Sequence, residues 1–134
     1  VRPGGRIVLL SWTPEGFIGE MFRTMKPYAP PPPPGASPAP LWGSEAHVTE
    51  LFGDRVQGLR CEREHARIEA FTTGAEFRDF FKATYGPTIT VYRAITAEPE
   101  RVAELDAALE ALGDRAVAEG VMEWEYLLVV AERA

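Results

Sequence analysis

The sequence predicts an α/β fold of three strands flanked by helices, with the last strand in a central position. Three observations carry that prediction. Ile7-Val8-Leu9-Leu10 is apolar at successive positions, as in a strand covered on both faces. Leu127-Leu128-Val129-Val130-Ala131 is apolar on both parities in the same way. Between these two runs the spacing of apolar residues turns helical several times.

The first strand follows a tight turn, Val1-Arg2-Pro3-Gly4-Gly5, and runs to Trp12. A helix is then expected, with Thr13 as cap, Pro14 in the first helical position and Glu15 at the positive end of the dipole. Ile18, Met21, Phe22 and Met25 recur at helical spacing on its apolar face, Gly19 weakens it and Pro27 ends it. Eight of the twelve prolines lie between Pro27 and Pro40, so residues 27–43 read as a stiff, extended crossover inside the domain. Ser44 caps a short helix that places Val48, Leu51 and Phe52 on one face, and Gly53 stops it.

Val56 to Phe71 reads as one long strand. Leu59 and Cys61 lie on one parity while Ala66, Ile68 and Ala70 lie on the other, which predicts a bulge near Glu62 to His65. Thr73-Gly74-Ala75-Glu76 is a capping box, followed at helical spacing by Phe77, Phe80, Phe81 and Tyr85. Gly86-Pro87 breaks that helix and Thr88 to Ile95 forms another. The longest helix runs from about Ala97 to Glu119, buries Val102, Leu105, Leu109, Leu112 and Ala116, and meets a potential division at Gly113. Met122 to Ala131 is the final strand.

Placing the last strand between the other two shields it and leaves the first strand with one bare, hydrophobic edge. Such an edge is an aggregation hazard that proteins normally cover. The chain is therefore expected to be a single partial domain over residues 1–134, half of a larger sheet.

Bulk composition narrows the function. A net charge of −6 opposes nucleic acid as a partner. One cysteine, Cys61, excludes an internal disulfide and fits a cytoplasmic location. No stretch approaches the roughly 20 apolar residues of a membrane span. His47 and His65 have no metal-site spacing, so no metal is expected. No Gly-x-Ser-x-Gly elbow is present, and Glu123 and Glu125 read as a solvated strand end. Gly16 and Gly19 lack the first glycine of a dinucleotide fingerprint. Ligands of open α/β sheets bind outside the carboxyl ends of the strands, where Trp12, Thr13 and Glu15 lie. Trp42 and the aromatic set ending at Tyr85 would suit the walls of an apolar pocket.

Arg2-Pro3-Gly4-Gly5-Arg6-Ile7-Val8-Leu9 resembles the Pro-Gly-Gly turn and fifth strand of class I S-adenosylmethionine-dependent methyltransferases, in particular the group related to ubiquinone and menaquinone biosynthesis enzymes. Trp12 to Gly19, the Pro-rich crossover, Leu41-Trp42-Gly43, Leu51-Phe52-Gly53 and Tyr85-Gly86-Pro87-Thr88 are similar to one subgroup across essentially the whole chain. The resemblance implies the C-terminal half of a Rossmann-like sheet, its last strand antiparallel and inserted between the other two. It implies a parent enzyme that transfers a methyl group from S-adenosylmethionine to a small apolar or aromatic acceptor. The family's cofactor motifs all lie upstream of Val1, so cofactor-binding residues are expected outside this chain. Acceptor-binding roles fall on Trp12, Thr13, Glu15, Trp42 and Tyr85. The alternative reading is a non-catalytic α+β domain that binds a small ligand or dimerises through the edge of its first strand.

Overall fold

Leu127 to Ala131 needs a neighbour on each edge, and the topology supplies both. The computed structural model describes residues 1–134. In chain order it contains β1 (Arg6–Trp12), α1 (Phe17–Met25), α2 (Glu45–Phe52), β2 (Val56–Ile68), α3 (Gly74–Thr84), α4 (Gly86–Ile95), α5 (Pro99–Ala116) and β3 (Met122–Arg133). The sheet order is β1-β3-β2. β1 and β3 pair antiparallel, from Arg6 opposite Glu132 to Trp12 opposite Tyr126. Gln57 reaches Glu132 while Arg63 reaches Glu125, so β2 also runs antiparallel to β3. No helix is long and apolar enough to cross a membrane.

Two compact units interleave along the chain. The first comprises Val1–Gly19, Ser37–Ala66 and Trp124–Ala134, and the second Glu20–Ala36 and Arg67–Glu123.

In the first unit, Val48 of α2 packs on Leu127 and Val129 of β3, joined by Leu9, Phe52, Leu59 and Cys61. Ser44 caps α2 by accepting from the His47 amide, and Gly53 ends it at φ +48°. Leu51 stays exposed, so only part of the expected helix face is buried. Within this chain β1 is covered on one face. α2 covers the face carrying Leu9, whereas Val8 and Leu10, which point the other way, are each 57% exposed. β1 is an edge strand.

The bulge expected near Glu62 to His65 is corrected as well. Arg63 and His65 both reach Glu125, which lies in step with Leu127 and Val129, so β2 keeps one face from Leu59 to His65. Half-buried Ala66 and Ile68 then fall on the opposite parity. β3 does the same, burying Leu127, Val129 and Ala131 on one face and Met122 and Trp124 on the opposite face. The irregular backbone of β2 lies earlier, at Gly58, where φ is +60°.

α1 begins three residues after the expected start. Thr13 does accept from the Gly16 amide at 3.0 Å, but residues 14–16 form a turn and the helix opens at Phe17. Gly19 has a steric role there, since a Cβ on it would lie 2.1 Å from the Pro14 carbonyl oxygen.

In the second unit, Met21 and Met25 of α1 are buried, as are Phe77 and Phe81 of α3, Val91 and Ile95 of α4, and Leu105, Leu109 and Leu112 of α5. The Pro-rich crossover is not extended throughout. Ala36 N donates to Pro33 O at 3.1 Å and Gly35 adopts φ +79°, a turn for which Pro34-Gly35 is the favoured central pair. The capping box forms in altered geometry: Thr73 accepts from the Glu76 amide, but the Glu76 carboxylate accepts from both the amide and the hydroxyl of Thr72. Those bonds hold the Glu76 carboxyl below its ordinary pKa. Phe80 is 53% exposed and packs its ring against Phe71 and Phe81 instead of entering the core. α5 ends at Ala116 because Glu119 and Gly120 both take positive φ in a tight turn closed by the Ala118–Val121 bridge. Gly113 does not divide α5. It admits α3, and a Cβ there would lie 2.6 Å from Gly74 Cα.

A polar network ties α3, α4 and α5. The Tyr92 hydroxyl donates to Asp106 Oδ1 at 2.6 Å, and Lys82 Nζ donates to the same carboxylate at 2.8 Å. Lys82 also lies 4.3 Å above the Tyr92 ring, a cation–π contact. Burial disfavours the charge on Asp106, yet the bonds from Lys82 and Tyr92 hold its pKa below the ordinary value. Burial, and then Asp106, push the Tyr92 phenol up. A lowered carboxyl pKa adds stability that is present above the unfolded value of about 4 and lost as pH falls through the folded one. Wild-type protein should therefore lose stability in acid partly through Asp106, and Asp106→Asn should flatten that part of the pH profile of chemical denaturation. Tyr92→Phe should cost about 1.5 kcal/mol, the worth of a hydrogen bond to a charged group.

Candidate functional site

The face of the sheet beneath α2 changes character along its length. Over Leu9, Leu127, Val129, Leu59 and Cys61 it is apolar. One step beyond Ser11 and Leu127 the same face presents Thr13 and Glu125, whose backbones remain bonded through Thr13 N to Glu125 O at 3.2 Å. Strand periodicity on β2 adds Arg63 and His65 to that face.

These side chains converge on one carboxylate. Thr13, fully buried, donates its hydroxyl to Glu125 Oε1 at 2.7 Å, and the same hydroxyl oxygen accepts from the Gly16 amide. Arg63 Nη1 donates to Glu125 Oε1 at 3.1 Å. His65 Nε2 lies 3.6 Å from Glu125 Oε2, and Glu15 Oε2 lies 3.6 Å from Arg63 Nη1. The Glu125 side chain is 21% exposed and that of His65 52%, so the buried end of the cluster is fixed and the imidazole end is open. A Cβ on Gly16 would lie 2.7 Å from Thr13 Oγ1 and 3.0 Å from Glu125 Cβ, so glycine is the residue that lets the turn close on the pair. A fixed carboxylate beside an accessible imidazole can orient a hydroxyl or amine and accept its proton through the histidine.

The opposite face at this end of the sheet is aromatic. Trp12 meets Trp124 edge-on at 5.7 Å and Tyr126 at 6.3 Å, and Phe17 stacks on Trp124 at 5.6 Å. The acceptor-side residues named from sequence therefore separate. Thr13 and Glu15 belong to the polar cluster, and Trp12 to the aromatic group behind it. Trp42, 41% exposed, sits in the 3-10 turn Ala39–Gly43. That turn is pressed against the end of β1, since a Cβ on Gly43 would lie 1.9 Å from the Trp12 carbonyl oxygen. Tyr85 belongs to the second unit, where its ring meets Phe81 at 5.0 Å and Phe22 at 6.5 Å.

Sequence reasoning missed Arg63, His65 and Glu125. The parity of Leu127 and Val129 extends to Glu125, and that of Leu59 and Cys61 to Arg63 and His65, so the strand period groups each set on one face without pairing the two strands. No group of three or more His, Cys, Asp or Glu residues is placed to hold a metal ion. Burial and then Glu45 push the Cys61 thiol pKa up, which disfavours the reactive thiolate.

No protein-family profile matches the chain. It is similar to an uncharacterized protein of Mycobacterium tuberculosis, Rv1405c, at 46% identity over 132 residues, covering 98% of this chain and 48% of the relative. Another uncharacterized M. tuberculosis protein, Rv1403c, is 45% identical over 132 residues with the same coverage, and Mb1440c of Mycobacterium bovis is 46% identical. The chain thus spans about half the length of the curated relatives it matches.

Proposed function

We propose that this chain is the acceptor-side half of an S-adenosylmethionine-dependent methyltransferase acting on a small, apolar or aromatic acceptor. The observation that carries the reading is topological. The last strand lies antiparallel between two strands that run parallel to each other. That is the arrangement the resemblance implies for the end of a Rossmann-like methyltransferase sheet. The Thr13–Glu125 cluster at the carboxyl end of β1, where open α/β sheets place their ligands, adds to it.

The methyl donor does not fit the residues of this chain. The turn after β1 has its Gly16 amide engaged by Thr13, and the charges beside it pair with one another. Donor-binding residues belong, on this reading, to the remainder of the whole protein. This chain's part is positioning. The Thr13–Glu125–Arg63 bonds fix a carboxylate, His65 offers an accessible nitrogen, and the aromatic group of Trp12, Trp124 and Tyr126 stiffens the strand ends that carry them. Alignment of an acceptor against a reacting methyl is the main source of rate in such a reaction.

Calorimetry of the whole protein with S-adenosylmethionine tests the reading, and saturable binding is the expected outcome. Absence of binding, together with no S-adenosylhomocysteine formed in the presence of candidate acceptors, would sink it. Trp12→Ala, which loosens the strand ends that carry the cluster, is expected to lower kcat roughly tenfold, equivalent to about 1.4 kcal/mol, with less effect on the acceptor KM.

One observation favours the second reading, a non-catalytic domain that dimerises through β1. Val8 and Leu10 are apolar, 57% exposed and on an edge strand. Sedimentation of the whole protein decides it. A dimer that Leu10→Lys dissociates supports that reading, and a monomer removes it.

A further inference from the structure

The Thr13 cluster can serve a hydroxyl or an amine, and the arrangement of its charges chooses between them. Glu125 gives its two carboxylate oxygens to different partners. Oε1 accepts from the Thr13 hydroxyl at 2.7 Å and from Arg63 Nη1 at 3.1 Å, while Oε2 faces His65 Nε2 at 3.6 Å. The first two bonds fix the carboxylate, and the second oxygen is left to hold the ring. A carboxylate opposite Nε2 favours the proton on that nitrogen, so the lone pair falls on Nδ1. The side chains of His65, Arg63 and Glu15 are 52%, 47% and 61% exposed, so the outer edge of the cluster is open.

Charge balance then decides the kind of acceptor. Arg63 Nη1 lies 3.6 Å from Glu15 Oε2 as well as 3.1 Å from Glu125, so two carboxylates face one guanidinium. The cluster carries one negative charge in excess, and an imidazolium formed at His65 cancels it. A hydroxyl arrives neutral and can leave its proton there. An ammonium brings its own positive charge, and Arg63 already occupies the carboxylates it would seek.

We propose that His65 is the proton acceptor of this site and that its substrate presents a hydroxyl. The O–H bond breaks, the proton passes to imidazole Nδ1, the electron pair stays on the substrate oxygen, and Glu125 balances the imidazolium. No co-reactant enters this step. Thr13 and Arg63 are positioning residues, which hold the carboxylate that holds the ring. The 3.6 Å separation suits a site without substrate, since catalytic hydrogen bonds commonly tighten only in the complex. This deepens the acceptor reading by naming the acceptor atom, an oxygen, and it rests on that reading in placing the acceptor at this cluster.

The probe is 4-nitrophenol, colourless when protonated and yellow as the phenolate, titrated into the whole protein at a pH where the free phenol is mainly protonated. Saturable appearance of the phenolate is expected. His65→Gln and Glu125→Gln are each expected to cut the phenolate formed roughly fivefold or more, and His47→Gln to leave it unchanged. The half-exposed His65 side chain carries little packing, so His65→Gln should keep the wild-type melting temperature. 4-Nitroanisole, which has no hydroxyl proton, should bind wild type and His65→Gln alike. No saturable phenolate in wild type, or phenolate undiminished in His65→Gln, would overturn the proposal. No methyl donor is present, so the two readings fail separately: S-adenosylmethionine binding with the phenol left protonated removes this proposal alone, and phenolate formation without S-adenosylmethionine binding removes the other.

Discussion

Alanine at Gly74 should cost about 3 kcal/mol of stability and lower the melting temperature by roughly 10 °C. The added Cβ would lie 1.9 Å from the Glu110 carbonyl oxygen and 2.6 Å from the Asp114 amide nitrogen. Both are backbone atoms of α5, and neither can rotate away as a side chain would. The same shift would strain the bond from the Gly74 amide to Asp114 Oδ1, 2.6 Å in the wild type. It would also disturb the Arg78–Glu110 ion pair one turn along α3. Gly86→Ala is the control, because its Cβ meets only open space. Urea denaturation of both variants reads the difference, and a loss below about 1 kcal/mol in Gly74→Ala would contradict the packing of α3 on α5.

The second large effect belongs to Glu125. Glu125→Ala strips the acceptor from the fully buried Thr13 hydroxyl and the counter-charge from Arg63. An orphaned buried donor costs about 1–3 kcal/mol, so a stability loss near 2 kcal/mol is expected. If the cluster aligns an acceptor, turnover should also fall on the order of 100-fold, the scale of a misplaced catalytic geometry. Glu125→Gln separates the two effects. Its amide oxygen still accepts from Thr13, so stability should stay within about 1 kcal/mol of wild type. The pairing with Arg63 and His65 loses its charge, and kcat should still drop. Equal activity of wild type and Glu125→Gln under saturating acceptor would remove Glu125 from the functional site.

Much of the fold was legible because local rules decide it. Ser44, Gly53, Thr73 and Pro99 bound helices by capping or by fixed backbone angles, and Leu105, Leu109 and Leu112 show the buried face of α5 by spacing alone. The errors share a cause as well. Two alternating patterns within β2 looked like a bulge, although Leu59, Cys61, Arg63 and His65 keep one face. Gly113 looked like a break, when it is the point at which α5 meets Gly74 of α3. Apolar character at Val8 and Leu10 reported what those positions prefer, not what this chain places against them.

The candidate site divides along the same line. Thr13 and Glu15 could be named from their place after a strand, which is a local property. Glu125, 112 residues from Thr13, could not, because a strand's period says which of its residues share a face but not which distant strand lies beside it. By itself the sequence determined the order of the elements, the caps of α2 and α3 and the buried stripe of α5, since each depends on neighbours a few residues away. Only the tertiary structure decided which carboxylate receives the Thr13 hydroxyl and which glycines are contact points. Those outcomes depend on pairing register and on the approach of helices distant in the chain, and no short-range pattern encodes either.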